Sequence, residues 1–221
     1  MVSEQKQNLI IQTTGSTGKP KVVQHSWDYI DLIVNKSIKL FELNSKDKIL
    51  NLYPSHTIAN WTLTSLPAYK VKCEIYNVSW NAYQFMNIMN EYKPTLIGIV
   101  PTHLRLLSKT KGWQHLTFSG CRINIGADKV TQEDIDLLLD KGAEIVYHTY
   151  GMSEIPPPLA YSINSEWLNC DTIEDTYYFN DFDELCINDI NSHDIFVRKQ
   201  NKMKFIRRSD KKTSRKTWKN V

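Results

Sequence analysis

The residues best placed to do chemistry come almost at once. Thr13-Thr14-Gly15-Ser16-Thr17-Gly18-Lys19-Pro20-Lys21 packs hydroxyls, two glycines and two lysines into one short stretch. Gly15 and Gly18 let the backbone turn and approach a ligand closely. Thr13, Thr14, Ser16 and Thr17 offer hydroxyl donors, and Lys19 and Lys21 offer cations, a set suited to a polyphosphate. The Walker A loop is excluded by spacing. It needs four residues between its glycines and a Ser or Thr directly after its Lys, whereas here Ser16 and Thr17 alone separate the glycines and Pro20 follows Lys19. Taken by itself, such a bend is equally an ordinary hairpin connection.

Positioning such a loop takes elements on either side. "NLIIQTT" (8–14) reads as a strand entering it and "KVVQH" (21–25) as a strand leaving it. Ser26 caps a helix whose apolar face is Trp27, Ile30, Ile33, Val34, Ile38 and Phe41. Strands follow at 48–54 and 73–79, with a helix over 57–66 between them. A helix over 81–92 stops at Lys93-Pro94, and the apolar run at 95–100 is a strand covered on both faces. A short helix spans 102–109, and "HLTFSG" (115–120) reads as another strand. Thr131 caps a helix ending at Gly142, and a strand at 143–149 runs into "YGMSE". This alternation predicts a layered α/β body with a largely parallel sheet. It breaks at Pro156-Pro157-Pro158, after which "TYYFND", "ELCIND", "DIFVRK" and "MKFIRR" predict a small antiparallel β portion. The expected units are a body over 1–159, a β subdomain over 160–208 and a mobile basic tail over 209–221.

The totals fit one good-sized core in 221 residues, with 41 % hydrophobic content and a formal net charge of +3. Neither a membrane-spanning apolar run nor a signal-peptide core is found. Cys73, Cys121, Cys170 and Cys186 are scattered, as reduced cytoplasmic thiols would be. Charge is segregated. Residues 163–197 carry no Lys or Arg but many acids, and the sign flips from Arg198 onward. The two blocks either face one another or are solvated, or the basic tail binds a polyanion.

"TTGSTGKPK" resembles the phosphate-binding signature of the adenylate-forming enzymes: acyl-CoA synthetases, peptide-synthetase adenylation domains and luciferases. Four further stretches resemble that superfamily in its own order. "YPSHTIANW" (53–61) is similar to the segment beside its acyl pocket, "INIGADKV" (123–130) to the turn lining its adenine site, and "YHTYGMSE" (147–154) to its Tyr-Gly-x-Thr-Glu block, with Ser153 in place of Thr. "SHDIFVRKQNKMKFIRRSDKK" (192–212) is similar to its ribose-and-hinge segment, with His193 and Arg207 where the family has Gly. The family's C-terminal lobe, which supplies a lysine to the reacting groups, has no counterpart in these residues.

The resemblance implies attack of a carboxylate on the α-phosphorus of ATP, giving an acyl-adenylate and pyrophosphate. It implies that Thr13, Thr14, Gly15, Ser16, Thr17, Gly18, Lys19 and Lys21 hold the phosphates, and that Gly126, Ala127 and Asp128 flank the adenine. Tyr150, Gly151, Met152 and Ser153 would also contact the nucleotide, and Glu154 would hold Mg²⁺. Asp194 would bind the ribose, with Arg208 and Asp210 at the hinge. Thr17, Lys21, Ser153 and Glu154 form the implied catalytic set. His56, Asn60, Trp61, Gly126 and Gly151 form the implied acid-binding set. A hydrophobic or aromatic carboxylic acid is the expected substrate, with CoA or a carrier protein as the acyl acceptor, a homodimer as an option, and nucleic acid and membrane as unexpected partners. Two other readings stay open: a weakly catalytic nucleotide-binding relic or regulator, and a polyanion binder working through its tail.

Overall fold

The computed structural model describes residues 8–13 and 21–209. The first described elements are an antiparallel strand pair, β1 (Asn8–Thr13) and β2 (Lys21–Ser26), in which Thr13 pairs with Lys21. Residues alternate between faces as a strand requires. Leu9, Ile11, Val23 and His25 point inward, and Ile10 and Val22 outward. The inner face packs on Ile30 and Val34 of α1 (Trp27–Leu40) and on Ile58. Ser26 caps that helix, accepting from the Tyr29 N–H at 3.2 Å. Trp27, expected on the apolar face, is exposed at the first position of the helix.

The body is an alternation of strands and helices: β3 (Lys48–Asn51), a π-helical turn (Asn60–Ser65) continuing into α2 (Leu66–Val71), β4 (Glu74–Asn77), α3 (Phe85–Tyr92), β5 (Leu96–Ile99), α4 (Pro101–Leu107), β6 (Arg122–Gly126), α5 (Gln132–Asp140) and β7 (Ile145–Tyr150). Beyond it lie β8 (Ala160–Ile163), β9 (Leu168–Asn169), β10 (Tyr177–Phe179), β11 (Glu184–Ile187), β12 (Ile190–Lys199) and β13 (Lys202–Arg208). All of these strands form one sheet in the order β10-β11-β12-β13-β9-β8-β7-β6-β5-β3-β4. The run β7-β6-β5-β3-β4 is parallel, and every pairing from β8 outward is antiparallel. This is the layered α/β body with an appended antiparallel portion that the sequence predicts.

Both faces of the parallel strands are covered. Ile97, Ile99, Ile123, Ile125 and Val146 pack against Phe85, Leu104, Ile135 and Leu138 of the helices on one side. Ile49, Leu96 and Tyr147 pack with Phe41, Tyr53 and Leu63 on the other. Two-sided burial explains the continuous apolar run of β5. The expected strand over 115–120 is not one. Leu116 and Phe118 are buried, but Cys121 N–H bonds back to Phe118 O at 2.9 Å and Gly120 takes a φ of +76°. The chain turns there, and the strand begins at Arg122. The expected helix over 57–66 forms, with a π turn over Asn60–Ser65, and runs on through α2 to Val71.

Beyond Tyr150 the core is aromatic: Phe179, Phe196 and Phe205 surround Leu168, Leu185 and Met203. Part of the acidic and basic blocks face each other. Lys204 pairs with Glu166 at 2.7 Å, Arg198 with Asp183 at 2.9 Å, and Arg208 with Asp194 at 3.7 Å. No described helix is long and apolar enough to cross a membrane.

Candidate functional site

Parallel strands send their C-terminal ends to one edge, where α/β sheets bind ligands. At that edge β6 ends on Gly126 and β7 on Tyr150, the register pairing Gly126 with Thr149. A Cβ on Gly126 would stand 2.5 Å from Thr149 O, so glycine is required for the strands to close there. Ala127 follows with a φ of +65°, a left-handed conformation that is unusual outside glycine. Asp128 accepts from Thr102 Oγ1 at 3.0 Å and from the Lys129 N–H at 2.7 Å. Behind this turn Arg105 grips buried Asp134 with two bonds, of 2.9 and 2.6 Å, and donates to Lys129 O. Asp134 also completes the capping box with Thr131. The turn after β6 is thus fixed from α4 and α5.

The segment after β7 is held as firmly. A Cβ on Gly151 would sit 2.7 Å from Pro157 Cα and closer still to its nitrogen. Met152 and Ile155 exchange backbone bonds of 2.9 and 3.2 Å, closing a tight turn that presents Ser153 and Glu154. Lys21 and His25 lie on one face of β2 and both reach this turn. Lys21 Nζ forms an ion pair with Glu154, and His25 Nε2 lies 2.7 Å from Ser153 O. Burial works to raise the Glu154 carboxyl, but the Lys21 ammonium, a backbone N–H and the charge of Arg208 outweigh it, so the group sits below its ordinary range and stays ionised.

The third part comes from the β portion. Tyr150 donates to Asp194 Oδ2 at 2.7 Å, and Arg208 flanks Oδ1. Burial raises the Asp194 carboxyl, with the Tyr150 O–H, Arg208 and His193 offsetting part of it and the Glu154 charge adding to it. Burial likewise raises the Tyr150 phenol, and the Asp194 charge reinforces this. Glu154, Asp194 and Arg208 therefore feel one another's fields. Glu184 holds the exit of β13: it accepts from Asn180 at 2.8 Å, from Asn191 at 2.7 Å and from Ser209.

The structure therefore brings Lys21, Tyr150, Gly151, Met152, Ser153, Glu154, Asp194 and Arg208 to one region, with Gly126, Ala127 and Asp128 on the neighbouring strand end. Thr14, Gly15, Ser16, Thr17, Gly18 and Lys19 lie outside the described residues, as do Asp210 and the tail lysines; of Thr13 only the backbone is described. His56 is exposed on the connection after β3. Asn60 is buried, accepting from Asn51 at 3.2 Å and Ser65 at 2.8 Å, and Trp61 packs under the β1–β2 pair. Among the described residues no three His, Cys, Asp or Glu side chains cluster as a metal site. A surface cleft of about 340 Å³, lined by Met86, Lys93, His115 and Cys121, opens at the opposite edge of the sheet and touches none of the site residues.

Two features were not anticipated. His25 clamps Ser153; its position four residues after Lys21, on the same strand face, was the available signal. Beneath the edge, Tyr53 O–H donates to Asn124 O at 3.1 Å and Thr149 Oγ1 donates to Asn124 Oδ1 at 2.9 Å. This buried polar layer carries no local sequence signal, because its members lie far apart in the chain.

Residues 3–176 match the family model described as AMP-binding enzyme. An indoleacetate–CoA ligase of Aromatoleum aromaticum is 28 % identical over 162 residues, which is 72 % of this chain and 32 % of the relative. Among solved structures, the O-succinylbenzoate–CoA synthetase of Bacillus subtilis in complex with ATP and magnesium aligns over 90 % of this chain and 49 % of its own, with a TM-score of 0.74 and 15 % identity. An acyl-CoA synthetase-like protein of Dyadobacter fermentans aligns over 93 % and 61 %, with a TM-score of 0.69 and 17 % identity. The chain spans about a third of the length of the curated relative it matches. With the family model covering most of its length, this chain belongs to the AMP-binding enzymes, the adenylate-forming superfamily.

Proposed function

We propose that this chain activates a carboxylic acid with ATP. A carboxylate oxygen attacks the α-phosphorus, the bond to the bridging oxygen of the β-phosphate breaks, and pyrophosphate leaves with its electron pair. Two anions must meet, so the work is positioning and charge neutralisation. One observation carries the reading. The Lys21–Glu154 ion pair and the Tyr150–Asp194–Arg208 set, drawn from β2, β7 and the turn after it, β12 and β13, meet beside the end of β7.

In this reading Lys21, with Thr13, Thr14, Gly15, Ser16, Thr17, Gly18 and Lys19, grips the β- and γ-phosphates, and the Ser153 hydroxyl donates to the α-phosphate. Gly126, Ala127 and Asp128 flank the adenine, along which Tyr150 lies beside Gly151 and Met152, and Asp194 takes the ribose next to Arg208. Glu154 fits a magnesium ion. It is a single ionised, partly buried carboxylate, the usual complement to phosphate oxygens around this hard cation. When bound, the metal would offset phosphate charge. The acid enters beside His56, Asn60, Trp61, Gly126 and Gly151. Its assignment as an aromatic or hydrophobic acid is supported by the relative that ligates indoleacetate. Transfer of the acyl group to CoA or a carrier protein would follow. The free thiols of Cys73, Cys121, Cys170 and Cys186 suit the cytoplasm.

The test is exchange of labelled pyrophosphate into ATP across a panel of carboxylic acids. Exchange with at least one acid, lost in Glu154→Gln, is expected. ATP binding without exchange for any acid overturns the proposal.

A further inference from the structure

Tyr150 does more at this edge than offer a ring. Its hydroxyl lies 2.7 Å from Asp194 Oδ2, and the ring is held edge-on against Phe196 with centroids 5.2 Å apart at 88°. The backbone just beyond it is fixed, since Gly151 presses on Pro157. On the far side of the carboxylate, Arg208 Nε stands 3.7 Å from Oδ1, outside hydrogen-bond range, on a side chain that is mostly exposed. The strand carrying Asp194 is held by its pairing with β13, where Asp194 lies opposite Arg208, and the Asp194 N–H donates locally to Ser192 Oγ at 3.1 Å. Asp194 is therefore held at one oxygen by a packed neutral donor and faced at the other by an exposed cation that stops short of a hydrogen bond.

We propose that the Tyr150 hydroxyl is the positioning group for ribose recognition: it keeps the Asp194 carboxylate turned toward a vicinal diol and away from a closed ion pair with Arg208. The inference rests on the nucleotide reading above and goes beyond it by assigning the hydroxyl, as distinct from the ring. A carboxylate has about four acceptor sites. Tyr150 occupies one and leaves Oδ1 and the second lone pair of Oδ2 to two ribose hydroxyls. Without that donor the carboxylate is free to rotate, and a guanidinium is the partner best matched to take both its oxygens. The diol then loses its acceptors, while contacts to the adenine and phosphates are unaffected.

Calorimetric binding of AMP and of 2′,3′-dideoxy-AMP, with no metal and no turnover required, tests this on the full chain, Tyr150→Phe and Asp194→Asn. The phenylalanine variant removes one oxygen and keeps the ring on Phe196; its folding is checked by its melting transition. Tyr150→Phe is expected to weaken AMP about tenfold, the scale of a lost hydrogen bond to a charged group, and to leave dideoxy-AMP unchanged. Equal weakening of both nucleotides in Tyr150→Phe makes the hydroxyl merely structural and overturns the inference. An unchanged AMP preference in Tyr150→Phe, together with its loss in Asp194→Asn, also overturns it but leaves the nucleotide reading standing. If the unsubstituted chain shows no preference for AMP, or Asp194→Asn retains it, that reading fails and the inference falls with it.

Discussion

His148 lies on β7 two residues before Tyr150, buried between the sheet's covering layers, and its Nδ1 has no partner. Burial pushes the imidazole down from 6.5 to about 4, and the backbone of Ser165 and Glu166, with the Glu166 carboxylate, offsets only part of this. The unfolded chain takes up a proton below its ordinary value, while the folded chain resists until near pH 4. The folded state is therefore fully favoured by this group above about pH 6.5, and that contribution is lost as pH falls toward 4. At roughly 1.4 kcal/mol per pH unit, the full loss is on the order of 3 kcal/mol, with about 2 kcal/mol of it gone by pH 5. Urea unfolding near pH 7.5 and near pH 5 of the native chain and of His148→Met, which fills similar space without titrating, isolates the effect. Carboxylates common to both proteins cancel. The native chain is expected to lose about 2 kcal/mol more than the variant. Parallel losses would refute a neutral, buried imidazole as the cause.

Other consequences follow from the same geometry. Lys21 and Glu154 have side chains 60 % and 25 % exposed, so a double-mutant cycle of Lys21→Met and Glu154→Gln should give a stability coupling under about 1 kcal/mol by thermal denaturation, while each single change abolishes most pyrophosphate exchange. A coupling of several kcal/mol would make the pair structural. Gly151→Ala forces a Cβ against the Pro157 backbone, which has no flexible end to yield, and should cost roughly 1–3 kcal/mol in melting experiments. Arg105→Leu leaves the buried Asp134 carboxylate without its two-bond partner and should destabilise by about 3 kcal/mol; a change within about 0.5 kcal/mol would mean that Asp134 is satisfied by its helix cap alone.

Where apolar periodicity and turn chemistry agree, the sequence is a sufficient guide. The Thr131 cap, the Lys93-Pro94 stop and the apolar run of β5 all appear where residue types place them, because each is decided within a few residues. It misleads where burial imitates a strand. Leu116 and Phe118 alternate inward like strand residues, yet Gly120 turns the chain and the ladder begins at Arg122. Trp27 looks apolar and inward by type, but at the first position of α1 it is exposed. Lys21, Glu154, Tyr150, Asp194 and Arg208 could be singled out from motif likeness, while their contacts could not. The Tyr150–Asp194 bond spans 44 residues, and the Lys21–Glu154 pair spans 133. Such pairings depend on strand order, which local patterns leave open. The contacts of His25 and Asn124 carry no sequence signal for the same reason, since each acts through partners distant in the chain.

The central claim is that one nucleotide bridges the two charged groups at the sheet's C-terminal edge, and a crystal of this chain soaked with ATP and magnesium addresses it most directly. The account predicts density for the ribose on Asp194, the β- and γ-phosphates beside Lys21 and a metal ion on Glu154. Nucleotide density elsewhere on the chain, or a ribose and a phosphate tail that do not contact Asp194 and Lys21 in the same molecule, would contradict it.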